Sequence, residues 1–174
     1  MKKAITLSIT LITLVTGLFA QEIDSNKSVV NFEVSNMAVN TVEGNFTGME
    51  GTINFDSGNL ESSTFSVCIN ASTVDTDNES RDEHLRNPDF FEVETYPEIC
   101  FTSTSIRSKA GSYVAEGTLT MHGESKRVSI PFTFLNNTFT GQFEVNRFDY
   151  KIGEDTNTFS VGEDISIEII CVVK

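Results

Sequence analysis

The chain has no tryptophan, only two histidines and three cysteines, and twelve lysines and arginines against 25 aspartates and glutamates. So little base speaks against a nucleic-acid binder, whose phosphate contacts need a basic footprint. It speaks equally against docking on anionic lipid head groups. The two histidines, His84 and His122, have no HxH or HxxxH spacing, and the cysteines make no CxxC pair. No metal-ligand pattern results, and none of the spacings that mark a serine or cysteine nucleophile is present. Past the first twenty residues no run is apolar enough to span a bilayer as a helix, so stable membrane insertion is not expected. Helical periodicity is scarce as well.

What is present begins with "MKKAITLSITLITLVTGLFAQ". Lys2 and Lys3 precede an apolar run from Ala4 to Val15, and small residues close the segment at Ala20, the layout of a secretory signal peptide. Thr10, Thr13 and Thr16 interrupt the run, which is shorter than the roughly 20 residues of a spanning helix. The reading is a signal over residues 1–20, cleaved after Ala20, and one soluble exported domain over 21–174, periplasmic or secreted. No cysteine stands at the boundary to take a lipid anchor. Without the signal's two lysines the acidic excess grows, and solubility is its plain meaning.

From residue 28 onward apolar residues alternate with polar ones at period two. Val30, Phe32 and Val34 share a face in "SVVNFEV", as do Phe65, Val67 and Ile69 in "TFSVCIN" and Ile165, Ile167 and Ile169 in "DISIEIICVV". Similar runs, "GTINFD", "EICFTS", "GTLTMHG", "VSIPFTF" and "FTGQFEV", bring the count to eight, with turn residues such as "KAGS", "MHGES" and "NN" between them. Antiparallel sheet with one wet and one buried face follows, as a sandwich or a closed barrel. One short helix is expected in "DTDNESRDEHLRNP": Asp77 or Asn78 caps it, Glu79 and Asp82 suit its first turn, Leu85 packs, and Pro88 stops it. The odd number of cysteines permits at most one internal disulfide, and spacing does not say which two of Cys68, Cys100 and Cys171 would form it.

Fourteen phenylalanines dominate the aromatic set. Phenylalanine has no polar handle, so these residues suit either a filled core or an apolar pocket left open inside a barrel. Five segments then occur in order: "VEGNFTGMEGTINFD"; "STVDTDNESRDEHLRNPDFFEVETYPEICF" with its Arg-Asp-x-His-Leu and Asp-Phe-Phe steps; "GTLTMHGESKRVSIPF" with Leu-Thr-x-His-Gly; "VNRFDYKIG"; and the opening "EIDSNKSVVNFEV". Together they resemble the YceI-like family across nearly all of residues 21–174. That resemblance implies an all-β fold, a single antiparallel eight-stranded lipocalin-like barrel with a short helix near one mouth. It also implies a non-enzymatic exported binding or carrier protein for a long isoprenoid or similar amphiphile, of polyprenyl phosphate or isoprenoid quinone type.

On this reading the inward faces supply tail contacts from Phe32, Val34, Phe55, Val67, Ile69, Phe101, Leu119, Met121, Phe132 and Phe134, with Phe90 and Phe91 at the rim. Neighbouring strand residues point to opposite faces, so a strand would let only one of Phe90 and Phe91 look inward. Arg81, Asp82 and His84 are expected to form a structural ion pair or to meet a polar head group, the arginine suiting phosphate or a quinone carbonyl. Arg147 is expected in an internal salt bridge or at the same head group, and His122 in a turn bond to backbone. Two other readings stay open: an enzyme acting on an isoprenoid or small amphiphile through Arg81, Asp82 and His84, and a filled-core structural or stress-related secreted β-protein. No cofactor is expected beyond a bound isoprenoid lipid or quinone, no metal and no nucleic acid; a homodimer is left open.

Overall fold

A computed structural model describes residues 20–37 and 40–174. The expected signal segment, Ala20 apart, lies outside the described residues. Nine strands follow in chain order: β1 Val29–Asn36, β2 Asn40–Phe46, β3 Glu50–Asn54, β4 Thr64–Asn70, β5 Glu98–Lys109, β6 Ser112–Met121, β7 Glu124–Leu135, β8 Thr138–Asn146 and β9 Val161–Val172. They form one antiparallel sheet in the order β2-β1-β9-β8-β7-β6-β5-β4-β3. All nine contribute side chains to one interior, so the sheet curls into a barrel.

The strand beyond the expected eight is β2. Its sequence, NTVEGNF, alternates, but a glycine takes one inward position and hides the pattern. β2 pairs with β1, whereas β3, which follows after Thr47–Met49, pairs with β4. The two short strands are therefore the two edges of the curled nine-stranded sheet, joined to each other only by the chain. The N-terminal segment reinforces the wall: Gln21 N donates to Ile53 O at 2.7 Å, and Lys174 N donates to Glu22 O at 2.9 Å.

Three hairpins turn in two residues, and both residues of each have positive φ: Ala110-Gly111, His122-Gly123 and Asn136-Asn137. That backbone matches the right-handed twist of the strands it joins. Helix α1, Glu79–Leu85, begins at Asn78, whose side chain accepts from Arg81 N at 3.0 Å. Seven residues are too few for a free-standing helix, so α1 depends on its packing against the barrel through Leu85. The pairing of cysteines left open by spacing is resolved by register. Cys68 on β4 lies directly opposite Cys100 on β5, the two are joined, and Cys171 is free and buried.

Candidate functional site: an apolar cavity closed at one end

The barrel interior holds a cavity of about 220 Å³. That far exceeds the roughly 10–15 Å³ that lodges one water by the same measure. Its wall is apolar except for Arg147. Ten of the twelve residues expected to face it do so: Phe32 and Val34 of β1, Val67 and Ile69 of β4, Phe101 of β5, Leu119 and Met121 of β6, Phe132 of β7, and Phe90 and Phe91. The parity inferred from hydrophobicity is therefore the inward one.

Phe90 and Phe91 correct the strand argument. They lie in a turn after α1, where adjacent side chains need not diverge, and both border the cavity. Phe55 and Phe134 are corrected in the other direction. Phe55 packs at 5.1–6.1 Å against Phe65, Tyr113, Phe132, Phe134 and Phe139, and Phe134 stacks on Phe139 at 4.3 Å. The pair belongs to an aromatic plug where β3, β7 and β8 converge, and neither borders the cavity. The largest share of the wall missing from the expected set comes from β8 and β9, among it Phe143, Val145, Ile165, Ile167 and Ile169. The same period-two alternation would have found them.

The opposite end is covered by loops. Leu85, Phe90 and Phe91 border the cavity from the α1 side, and Ile152 from the segment after β8. The two covers are tied by Gly153 N, which donates to Asp89 O at 2.9 Å. His122, in its turn, is 3.0 Å through Nδ1 from Tyr150 O, the side-chain-to-backbone bond expected of it. The carbonyl can only accept, so Nδ1 carries the proton and Nε2 is left 3.6 Å from a Glu92 carboxylate oxygen. Tyr150 is buried to 1% exposure, and burial pushes its phenol up to about 12, so it stays neutral.

Arg81 and Asp82 do not form the expected ion pair with each other. Both close on Thr76 instead. Arg81 Nε donates to Thr76 Oγ1 at 2.7 Å and Nη2 to Thr76 O at 2.6 Å, while Asp82 Oδ1 accepts from Thr76 N at 3.0 Å and Oγ1 at 2.5 Å. Adjacent helical residues diverge by about 100°, and a third residue is what brings them together. Arg81 opens onto an outer hollow with Glu33, Glu43, Asp75 and Asp77, not onto the cavity. His84 pairs with exposed Asp89 at 2.5 Å on the surface. Among the described residues no serine, threonine or cysteine side chain is bonded to either histidine.

Arg147 borders the cavity, is 2% exposed and, among the described residues, has no carboxylate partner. Its five N–H groups meet the backbone carbonyls of Gly162 (3.0 Å), Ile152 (2.9 Å), Gly153, Thr156 (2.6 Å) and Val161 (3.2 Å). The guanidinium also lies 4.0 Å over the Phe148 ring. Burial lowers its pKa from the ordinary value, though an arginine stays charged. It organises the loop between β8 and β9 and has no donor left for a head group.

Antiparallel strands curled around an apolar pocket, plugged at one end and loop-covered at the other, make a lipocalin-like fold. The YceI-like domain model matches residues 21–173, and the chain belongs to that family. It is 28% identical over 156 residues to protein YceI of Escherichia coli, covering 84% of this chain and 82% of that one. In fold it is similar to BcnA of Burkholderia cenocepacia, with a TM-score of 0.82, 24% identity, and coverage of 88% of this chain and 100% of that one. It is also similar to a polyisoprenoid binding domain from Saccharophagus degradans, with a TM-score of 0.67, 16% identity, and coverage of 89% and 98%. Among the described residues no helix is long and apolar enough to cross a membrane.

Proposed function

We propose that the chain is an exported, non-enzymatic carrier that holds one long isoprenoid or similar amphiphile with its tail inside the barrel. The observation that carries this reading is the apolar cavity itself, whose only polar lining residue has every donor engaged. Such a wall rewards hydrocarbon and offers nothing to a polar substrate. Each buried methylene contributes ~0.8 kcal/mol, so tail length sets most of the affinity. With the aromatic plug at one end, the loop-covered end serves as the mouth in this reading, and the head group sits near Phe90, Phe91 and Ile152. Family membership and the polyisoprenoid binding domain of the same fold support the reading. Export rests on the layout of residues 1–20.

The test is native mass spectrometry of protein purified from a membrane-containing host, followed by organic extraction. The expected result is an adduct of one prenyl lipid or quinone per chain that the solvent removes. Protein that carries no adduct, and takes up none when incubated with a polyprenol, would overturn the reading.

A further inference from the structure

We propose that Cys68, Glu98 and Cys100 form a redox-gated site for a thiophilic divalent cation of the Zn²⁺ type on the outer wall of the barrel. Cys100 and Glu98 are two residues apart on β5 and so share a face, and Cys68 stands directly opposite Cys100 on β4. Glu98 on that face is exposed, and the alternate residues Val67, Ile69, Ile99 and Phe101 line the cavity, so the three donors open outward, with Cys68 also bordering the cavity at its base. The two sulfurs and the Glu98 carboxylate lie within 4.8 Å of one another. That spacing admits one ion about 2.0–2.3 Å from each donor. Glu98 is exposed and the cysteines are half-buried, so an ion reaches the site from solvent.

While the disulfide is intact there is no thiolate and the site is closed. An external dithiol or phosphine reductant supplies two electrons; with two protons the S–S bond becomes two thiols and the reductant is oxidised. The cation then displaces both thiol protons and is held by two thiolates, the Glu98 carboxylate and a water in the fourth position. Thiolates select zinc-like metals over magnesium or calcium. The metal would restore the link between β4 and β5 that reduction removes. Cys171 takes no part: it lies on the inner wall, and burial pushes its thiol up to about 11.

Cobalt(II) is the probe, because thiolate ligation gives it an intense near-ultraviolet charge-transfer band. Phosphine-reduced protein should bind one Co²⁺ with that band, Zn²⁺ should displace it, and oxidised protein should show neither. Cys68→Ser/Cys100→Ser, which keeps Cys171, should lose the band. Glu98→Gln should keep it while weakening binding by about tenfold or more, since even ligand-supporting groups contribute 10–100-fold. Reduced protein without the band, or a band that survives in the double serine variant, would overturn the site. Because Glu98→Gln leaves the disulfide in place, it remains informative if the serine variant does not fold; an unchanged affinity there would exclude the carboxylate and with it the three-ligand site.

Discussion

A side chain at position 44 would collide with Phe32: a Cβ built on Gly44 comes within 2.4 Å of Phe32 Cζ and 2.7 Å of Thr76 Cγ2. Gly44 is the residue opposite Phe32 in the β1–β2 register, so its missing side chain lets the ring lie across the sheet. Gly44→Ala is expected to push the ring off the sheet and into the cavity it borders. The expected cost is about 1–3 kcal/mol of stability, the usual range for overpacking. Affinity for a prenyl ligand should fall as well, because Phe32 then occupies the cavity. Urea denaturation and a binding titration on the same preparation check both; unchanged affinity would mean the ring moves elsewhere.

The plug and the wall should respond differently to mutation. Phe55→Ala removes five ring contacts at the closed end, each pair contributing about 0.5–1.5 kcal/mol beyond its buried area. Destabilisation of about 3–5 kcal/mol is expected, as for other buried phenylalanine truncations. At a temperature where the variant is folded, its affinity for a short-tailed ligand should be close to that of the parent. A loss of binding larger than the loss of stability would place Phe55 at the ligand after all.

Leu119→Trp tests the wall. The parent has no tryptophan, so the variant carries a single emitter inside the cavity. Its emission should be blue-shifted, as for a dry site, and a bound quinone should quench it. The larger ring should lower affinity by about tenfold or more, equivalent to 1.4 kcal/mol or above. Red emission typical of water would show that position 119 faces outward.

Period-two alternation was enough to place eight of the proposed cavity residues, because an inward parity once set for a strand holds along it. It failed at β2 for a reason visible in Gly44: the position that should have announced the inner face carries no side chain. It also could not separate plug from wall, since Phe55 and Phe134 have the same parity as Phe32 and differ only in where the barrel closes. Arg147 was legible as a fixed point but not as what it is. Its partners are five backbone carbonyls, and a carbonyl leaves no mark in sequence. The Thr76 link between Arg81 and Asp82 was missed because attention to charge looks for an opposite charge.

Arg147→Lys should therefore be a severe change although it keeps the charge. One ammonium has three donors and no planar fork, and it cannot reach carbonyls spread from Ile152 to Gly162. At least two buried acceptors lose their partner, at about 1–3 kcal/mol each. Stability should fall by about 3 kcal/mol or more, and amide exchange should rise first between residues 151 and 160. A cost below about 1 kcal/mol would mean the loop holds without the guanidinium.

Alkaline pH should weaken the fold through two buried acids. Burial raises Cys171 from 9.0 to about 11, opposed by a Ser28 hydrogen bond. It raises Tyr150 from 10.0 to about 12, with the neighbouring Asp149 charge adding to the effect. In each case the folded chain keeps its proton longer than the unfolded chain does. The stabilisation is therefore complete below the unfolded value and is lost as pH rises through the folded one, between about 9 and 11 for Cys171 and about 10 and 12 for Tyr150. Two units at Cys171 correspond to roughly 2–3 kcal/mol. Cys171→Ala should be less stable than the parent near neutral pH, because it leaves a gap in the wall, yet lose less between about pH 8 and pH 11. Parallel pH profiles from urea unfolding, with the same loss in both proteins, would show that the thiol does not set the alkaline limit.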